Sequence, residues 1–275
     1  MGFRRLFLDI ETSPNVGYFW QAGHDLKIPY HNIKTERGII CICFKWADES
    51  RVKFLTWDKG NDKAMLKALA PVLADADEVV THNGDRFDLP HIRTRALFHS
   101  VRINDGFASC DTLKVARHRY KFNSNRLDYL GRFLGLGTKI QNPPDLWDRV
   151  MQGEKKALAD MVTYCKQDVL LIEAVHGKLM EFARAKAHVG VCAGGDRLSC
   201  PHCGSVNSKL DKTRTSAVGT ITRQMECKGC RRFYTVADGV YRSVLKVREM
   251  LAKKEAKLLA DLAALRGGLN ENTRR

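Results

Sequence analysis

Short apolar runs separated by polar turns fill the first part of the chain. They predict strands at residues 4–11, 38–46 and 51–57. The last two strands form a hairpin through the polar residues 47–50. A strand at 78–82 follows, so the first eighty residues supply most of a sheet.

Helical periodicity appears between these strands and dominates after them. Asn61 can cap a helix whose apolar residues recur as far as Leu73. Pro90 suits the first turn of a second helix, where its missing N–H costs nothing. Further helices are predicted at 127–136 and 144–185. The order β-β-β-α-β-α-β-α-α predicts an α/β fold, a mixed sheet flanked by helices.

A change of pattern near residue 190 divides the chain. Residues 1–190 suit one domain, which a glycine-bearing break at 189–195 separates from a cysteine-containing module at 196–237. Residues 240–268 carry apolar side chains near helical spacing and predict an amphipathic C-terminal helix, with Gly267 and Gly268 as its stop.

The basic charge is unevenly placed along the chain. The net charge is +15, of which residues 200–275 hold +9 and residues 1–199 hold +6. This asymmetry favours a polyanion partner, although a solvated basic surface would give the same count. No apolar run reaches the ~20 residues of a membrane span. The start is too soon charged for a signal peptide, so we expect a cytoplasmic or nucleoid-associated protein that is not secreted and does not bind membranes.

Two acids at the end of the first strand are the first chemical signal. Asp9 and Glu11 are one residue apart on a strand, so both side chains point to the same face. Buried acids that face one another repel, and a divalent cation would neutralise both. Acids that simply face water at a strand end are the alternative.

Two further segments supply acids that could join this pair. Asp88 would lie at the start of a helix, where the helix dipole favours a carboxylate, and Asp85 is a rival in the same loop. Tyr164 and Asp168 are four residues apart on a predicted helix and share a face. Taken singly, these are also a helix cap and a surface pair.

These motifs together resemble a known family. Asp-Ile-Glu-Thr-Ser-Pro at 9–14, Asn-x-x-x-Phe-Asp-x-Pro at 83–90 and Tyr-x-x-x-Asp-Val at 164–169 resemble the DEDD superfamily of 3′–5′ exonucleases on a ribonuclease H-like fold. Tyr164 matches its tyrosine (DEDDy) branch, as in the proofreading domain of family-B DNA polymerases. Residues 124–131 are also similar to this group.

The resemblance implies roles for the matching residues. Asp9, Glu11 and Asp168 would hold one Mg²⁺ or Mn²⁺ ion, and Asp9 would bridge to a second ion that Asp88 reaches directly or through water. Tyr164 would position the attacking hydroxide. Asn83 and Phe87 would lie near the terminal nucleotide. The implied activity is 3′–5′ hydrolysis of nucleic acid, with DNA favoured, a single-stranded 3′ end as substrate, and replication or repair as the setting.

Four cysteines predict a structural zinc site in the module at 196–237. Cys200, Cys203, Cys227 and Cys230 form two C-x-x-C pairs with 23 residues between them, which resembles a zinc ribbon. All four positions are filled, so the site is closed. His202 is expected to be exposed and not a ligand. Phe233 and Tyr234 could stack on bases or form the small core of the ribbon.

Two other functions remain open at this point. One is an inactive nucleic-acid-binding adaptor on the same fold, and the other is a structure-specific endonuclease. The ribbon or the C-terminal helix could also dock a protein. Cys41 and Cys43 alternate in an apolar run and are interpreted as small buried hydrophobic residues.

Overall fold

The computed structural model describes residues 2–21, 23 and 26–272, with side chains described as far as residue 263. The chain divides into two compact units: Arg4–Ala187, and His188–Arg275 together with Met1–Phe3.

The unit Arg4–Ala187 contains a mixed sheet. Its strands in the described residues are β1 Arg5–Thr12, β2 Val16–Gly17, β3 Ile33–Thr35, β4 Ile39–Trp46, β5 Lys53–Thr56, β6 Glu78–Thr81 and β7 Ala108–Asp111. The main sheet has the order β5-β4-β1-β6-β7. β1 pairs antiparallel with β4 and parallel with β6, and β2 pairs with β3 separately.

Helices cover both faces of this sheet. They are α1 Lys63–Ala74, α2 Asp88–Phe98, α3 Thr112–Arg119, α4 Leu127–Phe133, α5 Leu146–Met151 and α6 Lys155–Leu179. Because both faces are covered, every residue of β4 is buried, and the strand forms a continuous apolar run. The α/β fold with a mixed sheet flanked by helices is confirmed.

Alternation along β1 decides which side chains meet α6. Phe7 belongs to the core cluster that includes α6, whereas Leu6 and Leu8 belong to the cluster that includes α1. Asp9 and Glu11 follow Phe7 at intervals of two residues and therefore lie on the α6 side. The two-residue period of β1 thus places Asp9 and Glu11 on the face of the sheet that packs against α6.

Two details of the sequence prediction were wrong. Residues 144–185 do not form one helix, because Gly153 adopts φ +83° between α5 and α6. Asn61 does not occupy the cap position of α1; Asp62 does, and the Asn61 side chain accepts a hydrogen bond from the Lys63 N–H at 3.0 Å. The strand expected after the second helix, for which the pattern gave no bounds, is present as β7.

The second unit contains a three-stranded sheet and a long helix among its described residues. Its elements are α7 Val189–Cys192, β8 Ser208–Thr215, β9 Ile221–Cys227, β10 Phe233–Ala237 and α8 Asp238–Asn272. The strand order is β10-β9-β8, with both pairs antiparallel. The expected stop at Gly267 and Gly268 was wrong, since α8 continues to Asn272. A glycine inside a helix costs only about 1 kcal/mol and does not by itself end it.

Within the described part of the chain, no helix combines the length and the apolar character that crossing a membrane needs.

Candidate active site

Three carboxylates from β1 and α6 converge at the carboxyl end of β1. Oxygen atoms of Asp9, Glu11 and Asp168 all lie within 4.8 Å of one another. Asp168 is 2% exposed, and its Oδ1 has no hydrogen-bond partner in the described structure. A buried carboxylate oxygen without a partner is costly, and a bound cation would satisfy it. Carboxylate oxygens are the ligands that Mg²⁺ and Mn²⁺ prefer, so this donor set fits the expected ion.

Asp88 adjoins these three acids without joining their cluster. It begins α2, is 2% exposed, and its Oδ1 accepts a hydrogen bond from the Ile10 N–H at 3.1 Å. That bond ties the start of α2 to β1 between the two β1 acids. The rival Asp85 is engaged elsewhere, since its Oδ2 pairs with the Lys114 ammonium at 2.6 Å and its Oδ1 accepts from the Ser109 hydroxyl.

A lysine that the sequence did not single out supplies positive charge to the site. The Lys139 ammonium lies 2.5 Å from Asp168 Oδ2 and donates to the Tyr164 hydroxyl at 3.2 Å. Lys139 lies in the irregular segment between α4 and α5, and its side chain is 27% exposed. Tyr164 and Asp168 therefore share a face of α6, as predicted, and share this lysine as a partner.

Burial and mutual repulsion hold protons on the acids. Burial, reinforced by the Asp88 and Glu11 carboxylates, raises the pKa of Asp9 well above its usual value. Burial raises the pKa of Glu11 to about 8 and that of Asp88 to about 7. Burial also raises the pKa of Asp168, although Lys139 opposes that shift. The site is therefore electrostatically unsatisfied without a further cation.

The phenol of Tyr164 stays protonated. Burial and the neighbouring Asp168 carboxylate raise its pKa to about 12. A neutral hydroxyl can donate one hydrogen bond and accept another, so Tyr164 can orient a water molecule without becoming a base itself.

A basic cleft opens beside the acids and shares Lys139 with them. Its volume is about 780 Å³, and its lining is polar. The cationic groups in the lining are Arg86, Arg117, Arg126 and Lys139, against one acid, Asp128, and the amides are Asn83 and Asn125. His82 also lines the cleft, but burial lowers its pKa to about 4, so its imidazole is neutral near pH 7. Guanidinium groups and amides are the usual donors to phosphate oxygens and base edges.

The two predicted substrate contacts differ in their setting. Asn83 lines the cleft with φ +68°, and its backbone N–H donates to Asp111 Oδ1 at 2.9 Å. Phe87 is half-buried against the core cluster that includes α1, and its ring centroid lies 4.6 Å from that of His91. Asn83 therefore faces the cleft, while Phe87 serves at least partly in packing.

Sequence reasoning missed Lys139 and Asp111. Asp111 ends β7 and accepts hydrogen bonds from Asn83 and Leu113 backbone N–H groups, so it fixes the acid-bearing loop to α3. An aspartate just before a helical pattern was the available signal for Asp111. Lys139 carried no signal, because a single lysine in a glycine-bearing loop is common.

The four predicted ribbon cysteines also converge. The Sγ atoms of Cys200 and Cys230 are 3.7 Å apart, and those of Cys203 and Cys227 are 3.6 Å apart. All four sulfurs lie within 4.8 Å of one another, which is compatible with one tetrahedral zinc ion. His202, expected to be exposed, is half-buried, and its backbone N–H donates to Cys200 Sγ at 3.4 Å.

The two ribbon aromatics have separate environments. Tyr234 is buried at 8% exposure and donates its hydroxyl to the Leu198 carbonyl, so it belongs to the ribbon core. Phe233 is 55% exposed. Only Phe233 is free to stack on a base.

Residues 31–180 match the model of the RNase H superfamily. The chain belongs to the RNase H superfamily. The matched segment runs from just before β3 to the end of α6 and includes Asp88 and Asp168. The ribonuclease H-like fold expected from the motifs is confirmed.

The chain is also similar to DNA polymerases of several organisms. The DNA polymerase of Methanocaldococcus jannaschii is 30% identical over 98 residues, which are 32% of this chain and 6% of that protein. The DNA polymerase of Pyrococcus glycovorans is 31% identical over 83 residues, which are 26% of this chain and 11% of that protein. The chain thus spans only a small part of the length of these relatives.

A solved structure supports the same fold. The family B DNA polymerase of Pyrobaculum calidifontis matches with a TM-score of 0.52 at 14% identity, over 79% of this chain and 31% of that one. The expected resemblance to family-B DNA polymerases is confirmed, whereas the assignment to the tyrosine branch stays a prediction.

Proposed function

We propose that this chain is a metal-dependent 3′–5′ exonuclease that hydrolyses phosphodiester bonds at the 3′ end of nucleic acid. Membership of the RNase H superfamily and the similarity to DNA polymerases support nuclease activity. The observation that carries the proposal is the convergence of Asp9, Glu11 and Asp168 within 4.8 Å, with Asp88 adjoining them. A binding module has no need of four acids gathered in one buried place.

The proposal gives each acid a role. Asp9, Glu11 and Asp168 would hold one Mg²⁺ or Mn²⁺ ion, and Asp9 and Asp88 would be ligands for a second. Two such ions stabilise the attacking and leaving oxygens of a phosphodiester. Tyr164 orients the attacking water through its neutral hydroxyl. Asn83 and the guanidinium groups of the cleft bind the terminal nucleotide. Phe87 is the second proposed contact near that nucleotide.

The remaining parts of the proposal concern substrate and organisation. DNA is favoured because the similar proteins are DNA polymerases. We propose residues 1–190 as the catalytic domain, 196–237 as a zinc ribbon and 240–268 as an amphipathic helix. The basic ribbon is the proposed grip on long single strands, and a protein partner is the alternative for the ribbon or the helix. A cytoplasmic or nucleoid location stays a prediction.

Labelled oligonucleotides test the proposal directly. The full chain is incubated with single-stranded DNA and RNA carrying a label at either end, with Mg²⁺, Mn²⁺ or EDTA. We expect stepwise loss from the 3′ end, release of nucleoside monophosphates, and no reaction in EDTA. A closed circular single strand distinguishes the alternatives. Cutting of the circle assigns an endonuclease, and binding without cleavage of any substrate assigns an adaptor.

A further inference from the structure

Three buried thiol groups lie directly beneath the acid cluster. The Sγ atoms of Cys41, Cys43 and Cys165 all lie within 4.8 Å of one another, and each residue is 0% exposed. Cys41 and Cys43 come from β4, and Cys165 comes from α6, next to Tyr164. Neither the sequence motifs nor the proposed exonuclease reaction uses these thiols.

The strand register places the thiols beside the acids. On the antiparallel pair of β1 and β4, Cys43 lies opposite Asp9 and Cys41 lies opposite Glu11. Cys165 Sγ lies 3.4 Å from the Asp9 carbonyl oxygen and 3.5 Å from Asp9 Oδ2. The sulfurs therefore do not pack only against apolar neighbours, which is the usual setting of a cysteine that acts as a small hydrophobic residue.

These distances match the ligand shell of a thiophilic cation. A Zn–S bond is about 2.3 Å long, so three thiolates around one ion stand roughly 4 Å apart. In a tetrahedral site the edge from a thiolate sulfur to a carboxylate oxygen is about 3.6 Å. Sulfur separations below 4.8 Å are compatible with the first value, and the 3.5 Å contact between Cys165 Sγ and Asp9 Oδ2 agrees with the second.

We propose a second metal site, of soft-ligand character, formed by Cys41, Cys43 and Cys165 with Asp9 as the fourth ligand. It would take a thiophilic divalent cation of the Zn²⁺ and Cd²⁺ class, because thiolates prefer such ions to Mg²⁺ or Mn²⁺. Since Asp9 also belongs to the acid cluster, an ion held by the thiols withdraws an oxygen ligand from the hard-metal site. That consequence rests on the proposed function, whereas the thiol site does not.

Cadmium titration of the full chain tests the site independently of catalysis. Bound Cd²⁺ is measured by elemental analysis, alongside the zinc that is released, and Cd–thiolate bonds are followed by their ultraviolet charge-transfer absorption. Cadmium bound beyond the zinc released reports a site other than the ribbon. In the wild type we expect one such Cd²⁺ per chain with Cd–thiolate absorption beyond that of the ribbon. In Cys41→Ala/Cys43→Ala we expect no thiolate absorption beyond that of the ribbon, even where the acids bind some Cd²⁺.

Cys110→Ala is the matched control, because Cys110 is also 0% exposed but lies outside the cluster, on β7. It should bind Cd²⁺ as the wild type does. If the double variant does not fold, Cys165→Ala decides, and we expect its cadmium affinity to fall at least about 100-fold when one of three thiolates is lost. Equal Cd–thiolate absorption in the wild type and in the folded cluster variants would overturn the proposal. So would a wild type that binds only as much cadmium as it releases zinc.

Mn²⁺ binding then tests whether an ion at the thiol site weakens metal binding at the acid site. With one Cd²⁺ bound, the wild type should bind Mn²⁺ more weakly, and Cys165→Ala should show no such effect. Unchanged Mn²⁺ affinity would overturn the sharing of Asp9 and leave the cadmium stoichiometry as the test of the thiols. Absence of Mn²⁺ binding in the cadmium-free protein would count against the proposed function instead.

Discussion

At the scale of single residues, the Lys139 ammonium supplies positive charge next to the acids, where a metal ion would otherwise supply it. Its ammonium pairs with Asp168 Oδ2 at 2.5 Å and lowers the pKa values of Asp9 and Glu11 from what burial alone would give. A divalent ion bound to the same carboxylates meets this like charge. Lys139 therefore stabilises the metal-free site and opposes the metal-bound one.

Lys139→Met should consequently bind Mn²⁺ more tightly than the wild type at pH 8. We expect a change of at least about tenfold, because one ammonium near the ion costs more than ~1.4 kcal/mol at an effective dielectric constant of 20. Titration calorimetry measures the affinity. Lys114→Met is the matched control, since Lys114 pairs with Asp85 outside the cluster. Weaker Mn²⁺ binding in Lys139→Met would contradict this role.

The raised carboxyl pKa values predict how stability depends on pH. In the folded chain the pKa of Glu11 is about 8 and that of Asp88 about 7, against ~4 in an unfolded chain. Between these limits the folded state keeps protons that the unfolded state has lost, so rising pH destabilises the fold.

The melting temperature of the EDTA-treated protein should therefore fall as the pH rises from 5 to about 8.5. Mg²⁺ should restore it most at high pH, because the ion binds the deprotonated acids. Glu11→Gln cannot titrate at this position and should show a shallower fall. Identical pH profiles for the two proteins would argue against Glu11 as a titrating group.

Replacing Asp9 should lower the cleavage rate more than replacing Tyr164. Asp9→Ala removes a shared metal ligand and should lower the cleavage rate at least about 1,000-fold while leaving substrate binding largely intact. Tyr164→Phe should cost about 100-fold at most, because water activated by metal survives without the phenol. Single-turnover cleavage of a labelled 3′ end measures both. A fully active Asp9→Ala would rule out the two-metal mechanism.

At the scale of elements, local periodicity determined what could be predicted. The two-residue period of β1 placed Asp9 and Glu11 on one face, and the four-residue spacing on α6 did the same for Tyr164 and Asp168. That the two elements bring Asp9, Glu11 and Asp168 together was expected only from the family resemblance. The position of Lys139 was not predictable, because it depends on the irregular path between α4 and α5. The helix break at Gly153 was missed because the apolar repeat continues on both sides of it.

The thiol cluster shows the same limit across elements. Cys41 and Cys43 were placed correctly in an apolar strand, where burial was the natural interpretation. Cys165 is distant in sequence and joins them only because α6 packs on β4. Contacts between elements far apart in the chain leave no periodic signal in a single sequence.

The ribbon is the element that should depend most on a bound ion. Its core is small and includes Cys200 and Cys227 themselves, with Leu198, Met225, Tyr234 and Val236. A core of this size hardly folds without metal. Purified protein should contain one zinc per chain, and Cys200→Ser/Cys227→Ser should contain none and lose the order of residues 200–235.

The same variant should keep the acid site, because the unit Arg4–Ala187 has core clusters of its own. Elemental analysis reports the zinc, and Mn²⁺ titration reports the acids. Wild-type protein without zinc or iron would refute the ribbon. Loss of Mn²⁺ binding in the variant would show that the two units do not fold independently.

At the scale of the whole molecule, the acid site and most of the net positive charge lie in different parts of the chain. The acids and the cleft lie in the unit Arg4–Ala187, whereas residues 200–275 carry +9 of the net +15. In the ribbon, β8 presents Lys209, Lys212 and Arg214 on an exposed strand. These side chains can follow a phosphate backbone over several nucleotides.

The salt dependence of nucleic-acid binding affinity measures how many phosphates these side chains contact. Each phosphate neutralised on a single strand contributes about −0.7 to the slope of log K against log[salt]. A chain ending at Ala187 should still cleave short oligonucleotides, but it should bind a fluorescent 30-mer more weakly and with a flatter line. Replacing Lys209, Lys212 and Arg214 with glutamine in the full chain should flatten the slope by about 2 if each contacts a phosphate.

Neutralising Lys246, Lys253 and Lys254 on α8 removes the same charge from a different element and serves as the control. If net charge alone governed binding, both triple variants would lose affinity equally. If the ribbon instead docks a protein, the truncated chain and both variants should give the affinity and slope of the full chain. A slope that flattens in the β8 variant and not in the α8 variant assigns the phosphate contacts to the ribbon. Long-range attraction depends only on the number of charges lost, which is three in both variants, whereas direct contact with phosphates depends on where those charges lie.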